Sequence, residues 1–381
     1  MIHDYIIIGS GISGLYLGYL LNNKNYLILE KNNYIGGRIQ HTTFHNTQVQ
    51  LGAGVFQKYH KNVINLLKKL KLDYITVPKN NNKLIKNYNK DEYNNIVYKL
   101  KKYKNVKNKS MGYTLKHLLK DRKKISLFKK CFGYTDYLKA DTKLTLKYYP
   151  IEDFLDKKST INIIKGGNHK IIESLQEYSI NNIKLNTEII SIEKNNDIWI
   201  IKDNKNNIYE TKHIISTIDI KALKKLKIRG INKDKIKYFL NMIGSNNFFR
   251  MYSYHDKIEL NNSVIVPHIF KQMIPINNNV IMSAYCDNNN AKKSRKLLSE
   301  ITNKDITKIL QKYINISPIK DKVIKYWEVG THYYKPSYDY KKNYYTQDNF
   351  SIVGEVIGYE QAWMEGAIHS VNSWFKKIKN K

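Results

Sequence analysis

Two periods of hydrophobic spacing alternate along this chain, and the switches between them mark its elements. Tyr5 to Ile8 is an unbroken apolar, β-branched run that predicts a buried strand, and from Ser13 through Leu15, Gly18 and Leu21 the spacing turns helical. A second apolar run, Tyr26 to Glu30, and the amphipathic stretch KNVINLLKKLKL carry this βα order to about Leu72. From about Asp73 to Lys109 lysine and asparagine dominate, and VPKNNNKLIKNYNKDEYNN reads as exposed loops and short strands. Amphipathic helices are expected around Leu115 to Leu119 and Ile125 to Phe132.

The strand, Gly-Gly, helix order returns at INIIKGGNHKIIESL. The stretch from Ile183 to Ile218 then alternates at period two between turn clusters such as KNND and DNKNN, which predicts a β-meander closing at His213 to Thr217. A mixed region follows to about Tyr326, with strands expected in FFRMYSYH, SVIVPHIF and NVIMSAYC and a helix from Asp305 to Tyr313. Glycine signals return in NFSIVGEVIGYEQAWMEGAIHSVNSWF. No internal repeat appears.

At 381 residues the chain is long enough for two domains, since one core seldom grows past about 250–300 residues. No run approaches the roughly 20 apolar residues of a membrane span, and no basic leader precedes the first strand, so a soluble cytoplasmic protein is expected. The two cysteines, Cys131 and Cys286, lie far apart without a C-x-x-C partner, which argues for free thiols. His41 and His45 are close in sequence, but no further ligands complete a metal set, so no metal is expected. The net charge of +33 is spread along the whole chain beside an excess of Asn, Ile and Tyr, as an A/T-rich coding sequence produces, and a viral source fits that composition. Nucleic acid is therefore not expected as the main partner, although such a surface draws anions at low salt.

Gly9, Gly11 and Gly14, with Ile12 and Ser13 between them, form G-x-G-x-x-G. The pattern alone is weak, but here it follows a strand and opens a helix, whose N-terminal amides suit a pyrophosphate. Glu30, next to Lys31 at the end of the second strand, stands about 20 residues on, where a carboxylate accepts hydrogen bonds from a ribose. Gly36, Gly37 and Arg38 follow. Paired glycines let backbone pass close to a ligand, and an arginine adds charge for phosphate.

From DYIIIGSGISGLYLGYLL through LEKNNYIGGRI the chain resembles the FAD-dependent amine oxidase superfamily. The resemblance extends to three further blocks. VQLGAGVF resembles the segment that passes along the flavin with Gly52, Ala53, Gly54 and Val55, although many members carry a carboxylate where Gln50 stands. IKGGNHKIIESL and IKLNTEIISIEK resemble the Gly-Gly helix and the strand whose backbone meets the adenine, near Ile189 and Ile190. IVGEVIGYEQAWMEGAIHS resembles the C-terminal signature, in which Gly354 and Glu355 meet the ribityl-phosphate region and Trp363, Met364 and Ala367 lead a helix toward the pyrimidine ring.

The resemblance implies an α/β fold with a discontinuous Rossmann-like FAD-binding domain, glutathione-reductase-like, built from residues 1–72, 160–218 and 330–381. Residues 73–159 and 219–329 then form a mixed α+β substrate domain. It further implies a flavin oxidase whose FAD is noncovalent, since no cysteine lies near the C-terminus, with an amine or amino-acid substrate and dioxygen as acceptor. Trp363 would form one aromatic wall of the site, with Trp327, His332, Tyr333 and Tyr334 as candidates for the second. Arg250 falls nearest a lysine that many members hold near flavin N5. An arginine cannot act as a base, so a carboxylate or a reduced-flavin charge is its expected partner. A polyamine fits the aromatic site but not the positive surface; an amino acid fits the surface. Two alternatives stay open, a UDP-galactopyranose-mutase-like flavoenzyme and a flavin-bound basic scaffold, and oligomeric state is left undecided.

Overall fold

Ile6, Ile7 and Ile8 have no polar face to offer water, so their strand can exist only with both sides covered. In the computed structural model, which describes residues 1–78, 90–132, 134–148, 160–337 and 342–379, strand Ile2–Ile8 runs parallel between Tyr26–Leu29 and Ile208–Ser216 at the centre of a nine-stranded sheet. The meander closes the sheet on one side through Ile189–Asn195 and Ile198–Asp203, both antiparallel. The same edge of Ile208–Ser216 is shared: its first half pairs with Ile198–Asp203 and its last three residues with Phe350–Ile352 from the far end of the chain.

Alternate residues of these strands enter two cores. Ile7, Ile28 and Ile215 pack beneath helices Ile12–Leu20, Lys61–Lys69, His169–Gln176 and Met364–Lys379. Ile6, Ile8, Leu29 and Ile214 pack on the opposite face with Trp199 of the meander and with helices Ile220–Lys225 and Lys233–Asn241. The two parts of the chain that build this sheet are more than 100 residues apart in sequence, as the discontinuous domain requires.

The second body is a five-stranded antiparallel sheet whose long strands Val280–Asp287, Ile243–Tyr254 and Asp321–Tyr334 lie side by side. One face, carrying Phe249 and Met251, is buried on helices Asn288–Leu298 and Asn303–Gln311. A separate helical cluster, Lys90–Lys102, Met111–Leu119 and Arg122–Phe132, is tied to this sheet by Asp287, which accepts from Thr135 N and Oγ1 at 2.7 and 2.8 Å.

Three expectations need correcting. Residues 90–95 are helical, not loop, because Tyr93, Ile96, Val97 and Leu100 repeat at helical spacing and are buried; residues 79–89 of the same stretch lie outside the described residues. SVIVPHIF yields only the two-residue strand Val264–Ile265. Strand Asp321–Tyr334 runs past Gly330, so the boundary set there falls inside the second sheet. Helix Asn288–Leu298 was hidden in the polar run NNNAKKSRKLL, where Ala291, Ser294 and Leu298 are buried and Leu297 packs against the same core.

Helix Lys61–Lys69 starts without a side-chain cap of its own. The buried Glu365, from the first turn of the last helix, supplies it by accepting from Asn62 N (3.0 Å), Asn62 Nδ2 (2.6 Å) and Val63 N (2.9 Å). Glu365→Ala should therefore lower the unfolding free energy by about 2–3 kcal/mol. Urea unfolding with an unchanged m-value is the measurement, and a loss below about 0.5 kcal/mol would show that the cap is dispensable.

Candidate active site and cofactor cradle

The three glycines of the first turn serve three different purposes. Gly9 sits at φ +101°, a conformation other residues resist, and donates to Leu29 O at 2.8 Å. A Cβ on Gly14 would lie 1.9 Å from Gly9 O, so this position brings helix and strand together. A Cβ on Gly11 would meet nothing within 4 Å, so its face is open. Gly11 is also the N-cap of helix Ile12–Leu20, which has neither a side-chain cap nor an acidic first turn. The amides of Ile12 and Ser13 are thus presented where an anion fits.

The second glycine pair closes this cradle. Gly36, at φ +95°, donates to Ser10 O at 2.9 Å, and a Cβ on Gly37 would stand 3.2 Å from Gly11 Cα. Glu30 is buried beneath it, with Oε2 accepting from Ser10 N and Oγ (both 2.8 Å) and Oε1 from Asn32 N (2.9 Å) and Nδ2 (2.7 Å). Lys31 beside it is exposed. Thr187 N donates to Glu30 O at 2.7 Å, which starts the strand of Ile189 and the exposed Ile190 at this end of the site.

Glu355 is the hub of the other end. Its carboxylate accepts from Arg38 Nη1 (2.7 Å), His332 N (3.0 Å), His332 Nδ1 and Ala362 N (2.7 Å). Burial alone would push this carboxyl up, but Arg38 and His332 outweigh it and hold it well below the usual range. His332 Nε2 accepts from Ile220 N at 3.1 Å, so the hydrogen-bond pattern assigns the ring proton to Nδ1. The ring is buried with both nitrogens held, so His332 has no open face to serve as a wall. Gly354, at φ +106°, lets the chain pass Ser13, whose Oγ would lie 2.9 Å from a Cβ there.

Between these ends runs Gln50–Val55. Its carbonyls are clipped from the five-stranded sheet: Arg250 Nη1 donates to Gln50 O (2.8 Å) and to Gly52 O, Tyr252 OH to Gln50 O (2.6 Å), and Trp327 Nε1 to Leu51 O (2.7 Å). On the other side Asn168 Nδ2 donates to Ala53 O at 3.1 Å and touches Met364 Sδ at 3.9 Å. Gly54 and Val55 are half-buried, while Met364 and Ala367 are buried. Gln50 Oε1 and Asn168 Oδ1 are buried with no partner in the protein. Orphaned acceptors at Gln50 and Asn168, together with the uncapped helix end and open glycine face of the first turn, fit a polar cofactor.

Trp363 is half-buried and meets the buried His60 edge to face at 5.0 Å. Tyr333 stands instead against Gly244, where an added Cβ would be 2.2 Å from its ring, and Tyr334 is buried with its hydroxyl on Ile357 O at 2.5 Å. Of the proposed walls, Trp327 and Trp363 are therefore the two that the fold leaves beside Gln50–Val55 and the last helix. Sequence reading missed Asn168, His60, Glu365 and Glu360; the asparagine after Gly-Gly was the only signal for any of them. Among the described residues no cluster could hold a metal ion, and no helix is long and apolar enough to cross a membrane.

Residues 7–70 match the NAD(P)-binding Rossmann-like domain family, and residues 104–370 match the flavin containing amine oxidoreductases. An uncharacterised protein of Acanthamoeba polyphaga mimivirus is 35% identical over 82 residues, a stretch covering 20% of this chain and 16% of that protein. Among solved structures, putrescine oxidase bound to putrescine superimposes with a TM-score of 0.82 at 11% identity over 100% of both chains. A triple mutant from a redesign of its cofactor binding gives 0.78 at 12% identity over 99% of both. These two likenesses establish the fold.

Glu360 lies 3.5 Å from His60 Nε2, and burial together with the nearby Glu365 pushes its carboxyl up to about 7, against Lys147. The folded chain thus holds a proton here that the unfolded chain has released. That contribution is present below about pH 4.5 and is lost as pH rises toward 7. Glu360→Gln should flatten this decline, read as the difference in urea midpoint between pH 5 and pH 7.5; an unchanged decline would remove Glu360 as its source. The match across most of the chain decides the larger question: the chain belongs to the flavin containing amine oxidoreductase family.

Proposed function

We propose that this oxidase binds FAD noncovalently and oxidises the CH–NH bond of a small amine, with dioxygen as the final acceptor. One observation carries the reading: Gln50–Val55, whose carbonyls are fixed by Arg250, Tyr252 and Trp327 on the substrate side, faces Asn168 and Met364 on the dinucleotide side. A flat cofactor along this segment would have the nucleotide cradle at one end and two tryptophans in front.

The flavin would supply a hydride acceptor at N5 and, with dioxygen, its own reoxidation. The net reaction takes amine, dioxygen and water to carbonyl product, ammonia and hydrogen peroxide, with the carbon oxidised and dioxygen reduced by two electrons. The chain's own residues have the simpler task of holding and drying the site. Ile12 and Ser13 amides would receive the pyrophosphate and Glu30 the ribose. Arg38 and His332 fix Glu355, and through its bond to Ala362 N they set the turn from which Trp363 projects. Trp363 and Trp327 would then enclose the amine between π faces.

Purified protein should absorb near about 450 nm, and denaturation should release the chromophore. Gly14→Ala should lose that band, because its Cβ would meet Gly9 O. Trp363→Ala should keep the band yet lower kcat/KM for the best amine in a peroxide-coupled screen by about 10- to 30-fold. A colourless protein that cannot be reconstituted with FAD would end this reading.

A further inference from the structure

The dinucleotide body carries a cavity of about 270 Å³ whose lining includes no residue of the cradle and none of Gln50–Val55. It lies between helix Ile220–Lys225, strand Lys227–Arg229 and helix Lys233–Asn241, and it opens to solvent. The first helix stops after six residues and the chain passes into an edge strand of the nine-stranded sheet, so the second helix does not close over it. Leu223, Leu226, Ile228, Ile236 and Leu240 make the wall apolar. The same side chains belong to the core on that face of the sheet, and Ile228 and Leu240 stay half-buried where the core meets the cavity. Apolar surface left in contact with water is an unfavourable arrangement that a ligand tail can relieve.

The rim is cationic. Lys224 and Lys237 also line the cavity, both are exposed, and among the described residues neither forms an ion pair. The nearby carboxylates are engaged elsewhere. Asp219 accepts from Lys221 N (2.8 Å) and Ala222 N (3.1 Å), Glu328 pairs with Lys221 at 2.6 Å, and Glu193 lies 3.6 Å from Arg229. Burial, and then the like charge of Lys335, lower the pKa of Lys224, so an anion beside it would be welcome. From Asp219 to Asn241 the chain carries eight cationic residues against two carboxylates.

We propose that this cavity binds a free medium-chain alkanoate, with the alkyl tail along Leu223, Ile236 and Leu240 and the carboxylate between Lys224 and Lys237. An apolar wall under a positive rim asks for one molecule with a tail and an anionic head. The volume equals roughly nine water molecules at about 30 Å³ each, which holds one short chain and not the two long chains of a membrane lipid. Lysine is a point charge on a flexible stem, so it suits a head group that sits at the mouth of the cavity and keeps part of its hydration. The site is independent of the oxidase reading, because no residue in it touches the cradle.

Calorimetry of the full chain with butanoate, hexanoate, octanoate and 1-octanol tests the proposal. Octanoate should bind at one equivalent, and along the series each added methylene should tighten binding by about two- to fourfold until the cavity is filled. 1-Octanol should bind more weakly than octanoate. Lys224→Gln combined with Lys237→Gln should weaken octanoate by about five- to tenfold and leave 1-octanol unchanged, and added salt should have the same selective effect. Both lysines are exposed, so this variant keeps the fold. Leu240→Asn should weaken octanoate and 1-octanol alike. Several weak equivalents that neither variant alters would show only the general attraction of a +33 chain for anions and would overturn the site. So would absent binding, affinity indifferent to chain length, or 1-octanol binding as tightly as octanoate. Capture by phosphatidylglycerol vesicles through the two lysines, undisplaced by octanoate, would overturn it in favour of a membrane surface.

Discussion

The structure depends on one buried carboxylate. Glu355 comes from the last segment of the chain, Arg38 from the first, His332 from the end of the second sheet, and Ile220, which fixes the histidine's tautomer, follows the meander. Four stretches that sequence places far apart therefore meet in one network. Removing one partner of such a pair leaves the other charge buried, a loss of about 3–5 kcal/mol. The network also needs its charges. Glu355 is held ionised by Arg38 and His332 against its own burial, so its contribution fades as pH falls below the ordinary carboxylate range.

A second tie joins the two bodies and lies where the chemistry is proposed. Gln50 ends strand Thr47–Gln50 and the residues after it leave that hairpin, so the carbonyls of Gln50, Leu51 and Gly52 find their donors elsewhere. Arg250, Tyr252 and Trp327 supply them from the antiparallel sheet. The result is a backbone segment fixed by side chains of the substrate body and packed against Asn168 and Met364 of the dinucleotide body. Motion of one body would be felt at once by this backbone.

The cradle was legible in sequence because its demands are local. Gly9 and Gly36 need positive φ, Gly14 needs the absence of a side chain, and Glu30 falls at the end of the next strand. The aromatic walls were less legible. Tyr333 and His332 sit in the same run as Trp327, and only the register of strand Asp321–Tyr334 with Ile243–Tyr254 separates a residue over the seam from one inside the Glu355 network. Helix Lys90–Lys102 was obscured for a different reason: in a lysine- and asparagine-rich chain, composition signals a loop even where four apolar residues hold helical spacing. The pairings made by Glu365 and Asn168 cross roughly 300 and 115 residues, and no local pattern announces them.

Arg250 shows why the site's charge cannot be read from its hydrogen bonds alone. As a clip it is satisfied, since backbone carbonyls accept its N–H groups. Both carbonyls accept from the one Nη1, a task a lysine ammonium could also perform, but only a planar guanidinium can do so while lying against the Tyr285 ring. Satisfying donors does not neutralise a cation, however, and among the described residues no carboxylate pairs with this one; its neighbours are carbonyls and tyrosines. The geometry of the backbone at Gln50–Gly52 is thus carried by a cation whose hydrogen bonds are satisfied and whose charge is not.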